Sequence, residues 1–218
     1  MKTFIQRVTL GVAIIGLAGC NSLSRDAVET MRLAISGPES VISVDRVNAV
    51  DAPVLLAELD GAEALLVAPG AATGRAEWHG LTEMLLIHHG RLVQSAGLPV
   101  DVIAPLVAND PFLTGLNRVT TGTEVTRLVD YPAQYRTGLR QHARYRVGRM
   151  ESITYMGARH QLLRIDEMIN MPELGFRATN RYWVEPDTGL VRHSVQHLAP
   201  DMPPLVLTLA KTEGGARP

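Results

Sequence analysis

The sequence predicts a mainly β domain built from antiparallel strands. From about Val41 onward, short apolar runs alternate with Gly, Pro and Asn-Asp breakers, and runs of four to eight residues between such breakers are strand signals. The second half is rich in Thr, Val, Tyr and Ile mixed with polar residues, as half-buried strands are. One hairpin, Asn180–Leu198, is marked on both arms and at its turn. The composition supports a core: 46% of residues are hydrophobic and 20% charged, with thirteen Pro and nineteen Gly scattered throughout. A mature chain of roughly 200 residues fits one domain, over residues 20–211, with 1–19 a leader and 212–218 a polar, Gly-rich tail.

The leader has a basic start (Lys2, Arg7), an apolar run from Val8 to Gly16, and Leu17-Ala18-Gly19-Cys20 at its end. That is the layout of a secretory signal peptide. The run is too short to cross a bilayer, which takes about 20 apolar residues. The small-small-Cys ending resembles the lipobox of bacterial lipoproteins, which implies cleavage before Cys20 and acylation of that residue. The alternative is a plain signal peptide with a chance cysteine. Cys20 is the sole cysteine, so an intramolecular disulfide and a cysteine-based metal cluster are excluded. Several acyl chains anchor stably where one is marginal, so the resemblance implies a membrane partner. Asn21 is not the Asp that retains many Gram-negative lipoproteins at the inner membrane. By that resemblance, the periplasmic side of the outer membrane is favoured.

Ser24–Ile35 predicts a short helix after the lipidated cysteine. Ser24 can cap it, Ala27, Val28, Met31, Ala34 and Ile35 share a face, and Gly37-Pro38 ends it. Strands are then expected at Val54–Leu59, Ala64–Ala68, Met84–His88, Arg91–Gln94 and Val100–Val107. Asn109-Asp110-Pro111 marks a turn and Thr114–Asn117 a loop. Thr121–Tyr131, Arg136–Arg149 and Met150–Met156 read as strands, with a turn at Tyr155-Met156-Gly157-Ala158. Arg159–Asn170 fits a helix or a long strand, and its neighbours favour the strand. After Pro200, Pro203 and Pro204, Leu205–Leu209 supplies a last strand.

In the Asn180–Leu198 hairpin, Pro186-Asp187-Thr188-Gly189 places Pro where φ near −65° suits a turn and Gly where φ can be positive. If Glu185 pairs with Leu190, Val184 faces Val191 and Trp183 faces Arg192. Tyr182, Val184, Val191 and Val195 would then share the core face, with Trp183 and Arg192 in cation–π contact on the other.

Arg181-Tyr182-Trp183-Val184-Glu185, Thr188-Gly189-Leu190-Val191-Arg192-His193-Ser194 and Pro203-Pro204-Leu205 with Thr208-Leu209-Ala210-Lys211 resemble the C-terminal end of the YjbF/GfcB lipoproteins of capsule and exopolysaccharide gene clusters. Met84-Leu85-Leu86-Ile87-His88-His89-Gly90-Arg91-Leu92-Val93, Gly97-Leu98-Pro99 and Asn109-Asp110-Pro111 agree with it. The chain departs from that pattern in the two prolines before its last strand and the His-rich return strand. The resemblance implies an antiparallel open barrel or strongly curved sheet, and a role in polysaccharide assembly or export at the cell envelope. It brings no catalytic residues with it.

Removing Lys2 and Arg7 leaves nineteen basic residues against twenty-two acidic, a net charge of −3, which gives no electrostatic case for nucleic acid. Of seven histidines, only His193 and His197 have suggestive spacing. Four residues apart on a strand separates their Cα atoms by about 13 Å, too far for one zinc at about 2.0–2.1 Å per bond. No metal or cofactor is therefore expected. There is no Gly-x-Ser-x-Gly elbow, Gly70, Gly74 and Gly115 lack the lysine of a phosphate loop, and Asp166-Glu167 point to opposite faces, as on a solvated edge. The reading is therefore non-enzymatic. Trp78, Tyr131, Tyr135, Tyr145, Tyr155, Tyr182 and Trp183 could form a glycan platform with Arg192, or simply pack in the core. Two functions stay open: an accessory factor of capsule or exopolysaccharide export, binding glycan or export proteins, and a carrier of a lipid or acylated ligand. A shallow groove of Trp, Tyr and Arg favours the first; a deep pocket of Leu, Ile, Val and Met favours the second.

Overall fold

A computed structural model describes residues 42–70 and 74–212. Cys20, Asn21, the expected Ser24–Ile35 helix and most of the C-terminal tail lie outside the described residues. The described chain forms one antiparallel sheet of eleven strands: β1 (Val54–Leu59), β2 (Ala62–Val67), β3 (Arg75–His79), β4 (Met84–His88), β5 (Arg91–Ala96), β6 (Glu124–Tyr131), β7 (Arg136–Tyr155), β8 (Ala158–Met171), β9 (Phe176–Val184), β10 (Val191–Gln196) and β11 (Leu205–Lys211). Their order is β5-β4-β3-β2-β1-β11-β10-β9-β8-β7-β6, two meanders joined where β11 pairs with β1. The mainly β, antiparallel, strongly curved sheet is as expected.

The sheet curls into a half-barrel, and its two edge strands meet through one residue. Ile103 bridges both Gln94 on β5 and Asp130 on β6. Val102 and Ala104 add backbone bonds to Ser95 (3.0 Å) and Val93 (2.7 Å). The run Val100–Val107, expected as a strand, contributes only this bridge. Pro99 and Pro105 flank it and cannot donate to a ladder.

Three tight turns share one form: Asp60-Gly61, His89-Gly90 and Met156-Gly157 each have positive φ at both residues. Two such residues twist a hairpin with the right hand, and Gly takes the second position at no steric cost. Beyond these turns the expectations need amendment. Arg75–His79, read as a gap, is β3: its alternation is carried by Ala76 and Trp78 against charged neighbours. The two runs Arg136–Arg149 and Met150–Met156 are a single strand, broken in register between Val147 and Met150. A short helix is also present past Val41, α1 (Val44–Asn48), capped by Ser43 and burying Val47.

That register break bends the β7–β8 hairpin over the outer face of the sheet. Ile153 and Leu162 pack there on Trp183 and Val195, and Met156 at the tip reaches the cluster of α1 with Val54. Inside the curl lie two larger clusters, one lined by β1–β5 and β11, the other by β6–β9 with a short helix, α2 (Pro111–Thr114). Each large apolar side chain buried there contributes about 1.5–3 kcal/mol.

Candidate functional site

The Asn109-Asp110-Pro111 segment, read as a turn, starts α2. Asp110 is the cap, accepting from the Phe112 N–H at 3.3 Å, and Pro111 occupies the first helical position, where its missing N–H costs nothing. Both oxygens of the same carboxylate are also held by Arg127 of β6, at 2.6 and 3.0 Å. A one-turn helix is marginal alone; this ion pair fixes it to the barrel wall.

Arg127 belongs to a polar network sealed inside the barrel. Its guanidinium also donates to Glu167 of β8 at 2.7 Å. Arg91 of β5 reaches Glu167 from the opposite edge at 2.9 Å and Gln141 at 2.7 Å. Tyr145 and Asn180 each donate to Glu167 at 2.8 Å, and Tyr182 at 3.2 Å. Phe112 caps this network, 5.9 Å from both guanidinium carbons and edge-on to Tyr182. Two arginines balance two carboxylates, so the interior is neutral. The Asp166-Glu167 pair, read as a solvated edge, does point to opposite faces, yet both residues are buried. Asp166 meets Arg146 and Arg164 on the outer side.

Burial opposes ionisation of Glu167, but Arg91, Arg127 and the hydrogen bonds of Asn180 and Tyr145 outweigh it and hold the carboxyl at about 2. Burial raises the phenols of Tyr145 and Tyr182 far above their ordinary range, so both stay donors. Burial pushes His193 on β10 down to about 4, and His197 just past that strand also, with Arg181 adding to the shift of His197. Neither is charged at neutral pH.

Beside the network, a cleft of about 660 Å³ opens at one end of the barrel. Leu55, Trp78, Ile87, Val191, Leu207 and Leu209 are among its lining, which makes its depth apolar. Its mouth lies between α2 with Gly115 and the β9–β10 turn, where His89, Thr114, Glu185, Thr188 and Arg192 are polar. The wall elements are fitted to one another. Asn117 donates to the Pro186 carbonyl at 2.9 Å. Gly189, at φ 75°, leaves room for the same side chain: a Cβ there would lie 2.5 Å from Asn117 Oδ1. Gly90 lies on Val191 so closely that a Cβ would meet it at 2.3 Å.

The hairpin register departs from expectation at one residue. Val184 does face Val191, but Arg192 is an extra residue, and Trp183 pairs with His193. The bulge sends Val195 to the Trp183 face, away from Tyr182 and Val184. Arg192 therefore meets Glu185 at 2.6 Å rather than the indole. Trp183 is fully buried on the outer face under the β7–β8 hairpin, its N–H donated to Glu151 at 2.8 Å. Trp78 is 1% exposed and lines the cleft, with no partner for its indole N–H among the described residues. Of the three residues named for a glycan platform, Trp78 and Arg192 line the same cleft, whereas Trp183 is buried on the outer face. Of the seven aromatic residues, only Tyr135 is exposed.

The lumenal network was not singled out in the sequence. Its signal was there: Arg127, Gln141, Glu167 and Asn180 all fall on the core-facing parity of their strands, beside Val125, Ala143, Ile165 and Tyr182.

Residues 25–209 match the family model described as group 4 capsule polysaccharide lipoprotein GfcB/YjbF. Among solved structures, the hypothetical lipoprotein YmcC of Escherichia coli K12 is similar at a TM-score of 0.68 and 18% identity, over 89% of this chain and 97% of that one. A candidate lipoprotein of Parabacteroides distasonis gives a TM-score of 0.34 at 10% identity, over 75% and 96%. No curated protein matches. The chain belongs to the YjbF family of capsule-polysaccharide lipoproteins.

Proposed function

We propose that the protein is an accessory factor of capsule or exopolysaccharide assembly and export. It is anchored through Cys20 to the periplasmic side of the outer membrane, and its cleft holds the apolar chain of a lipid or acylated ligand. The observation that supports this reading is the cleft itself: an apolar depth behind a polar mouth, walled by elements that the buried Arg127–Asp110 pair and the Asn117–Pro186 bond hold in place. Such a site suits a ligand with a hydrocarbon part and a polar end. A non-enzymatic role agrees with the interior carboxylates, since Asp110 and Glu167 are wholly buried and saturated by arginine. Export proteins of the same system are its proposed partners. A surface glycan platform at Trp78, Trp183 and Arg192 is not part of this reading, because both indoles are buried.

The test is to purify the full chain from membranes, extract it with solvent and identify bound lipid by mass spectrometry. Displacement of a fluorescent fatty acid serves as a second readout. Leu209→Glu places a charge in the cleft and should abolish both signals; an empty cleft with no displacement rejects the carrier reading. The address is tested separately: where Asp after the acylated cysteine directs retention, Asn21→Asp should move the protein to the inner-membrane fraction of a sucrose gradient.

A further inference from the structure

The outer face of β6–β9 carries a second concavity, away from the cleft. A trough of about 610 Å³ crosses the four strands there. The registers set its side chains in rows. Thr126, His142, Asn170 and Arg177 lie directly across from one another, and Glu124, Arg144, Met168 and Thr179 form the next row. Arg146, Asp166 and Arg181 follow beside them.

The charge of the molecule is divided in the same direction. Described residues 42–103 hold eight acids and three arginines, whereas residues 104–212 hold ten acids and thirteen bases. On this face some of the cations are neutralised locally: Arg140 by Glu173 at 2.8 Å and Arg146 by Asp166 at 2.6 Å. Others are not. Arg177 donates to the neutral Asn170 at 3.2 Å, and neither Arg177 nor Arg181 forms an ion pair among the described residues. Arg144 stands 3.8 Å from Glu124 with both side chains about two-thirds exposed, a contact that water screens to little.

We infer that this trough binds an anionic polysaccharide, with Arg144 and Arg177 taking its carboxylates, Arg181 adding positive charge from the neighbouring row, and Thr126, Asn170 and Thr179 meeting its hydroxyls. Arginine presents a planar fork that matches a carboxylate. The interleaved amide and hydroxyl groups supply the donors and acceptors that a sugar ring requires and that a lipid headgroup layer would leave unused. The inference rests on the capsule-polysaccharide reading above and adds to it the charge of the polymer.

The full lipidated chain in detergent is titrated with oligogalacturonate, with neutral dextran, and with phosphatidylglycerol vesicles. Oligogalacturonate should bind, weakening as salt rises, and dextran should not. The Arg144→Gln/Arg177→Gln double variant should lose about tenfold or more, the scale of one charge-assisted hydrogen bond, with an unchanged melting temperature. Arg144→Lys/Arg177→Lys should recover part of the loss. Equal affinity in the double variant, equal binding of dextran, or retention by vesicles alone overturns the inference. Fatty-acid displacement is measured on the same variants, so loss of the trough and loss of the cleft register separately.

Discussion

Strands β1–β5 are five or six residues long and fill their inner face with Leu, Ala, Ile and Trp78. Strands β6–β9 run from eight to twenty residues and place Arg127, Gln141, Glu167 and Asn180 on theirs. The first meander contributes one charge to that interior, Arg91 from the edge strand. The difference teaches how each half is specified. Aliphatic side chains tolerate exchange at constant volume, whereas a one-residue slip in β6 or β8 would put Arg127 or Glu167 on the outer face and leave its partners buried without counter-charge. The second meander is thus held in register by ions, and the first by shape.

The widest gap between the halves should open under acid. His193 and His197 sit near 4 against an ordinary 6.5, so the unfolded chain binds their protons first, and their contribution is lost as pH falls from about 6.5 through 4. Glu167 lies at about 2 against 4.5, so its contribution is full above 4.5 and lost as pH falls towards 2. At about 1.4 kcal/mol per unit, each group is worth roughly 3 kcal/mol, and together they rival the whole stability of a small domain. Urea midpoints taken from pH 7 to 3 should fall throughout, while variants at Glu77 on β3 follow wild type. A flat profile would show that the ions of the second meander do not govern its stability.

Next in size, Arg127→Ala should cost about 3–5 kcal/mol in urea unfolding, because Asp110 would remain buried without a counter-charge and Glu167 would keep Arg91 alone. It should also loosen α2, read as faster amide exchange at Phe112. Glu77→Ala, on the exposed face of β3, should stay within about 0.5 kcal/mol. Equal costs would erase the distinction. A smaller loss than that of Arg127→Ala, about 1–2 kcal/mol, is expected from Gly189→Ala, since positive φ and the nearby Asn117 both disfavour a Cβ. Asn117→Gly in the same chain relieves the steric part alone, and a double-mutant cycle by thermal melting should show coupling between them.

Much of the fold could be read from period and punctuation. Val54–Leu59 and Met84–His88 are strands to the residue, and Asp60-Gly61 and His89-Gly90 turn as such pairs do. What escaped was set by neighbours far along the chain. Nothing near Arg192 marks it as a bulge; the displacement shows only once β9 is paired beside it. Val100–Val107 has strand composition, but its place between two edges leaves one residue to pair. The candidate site was less legible than the fold. A cleft is a relation between β1, β3, α2 and the β9–β10 turn, which the sequence keeps far apart, and Trp183 advertises an aromatic surface that the β7–β8 hairpin covers.

The bridge at Ile103 has a consequence for life at high local concentration. A free strand edge offers its amides and carbonyls to any passing chain, and identical molecules crowded together meet such edges constantly. By taking Gln94 on one side and Asp130 on the other, a single residue engages both margins of an eleven-stranded sheet. At those two points each copy turns on itself hydrogen bonds that could otherwise pair with a neighbour's edge.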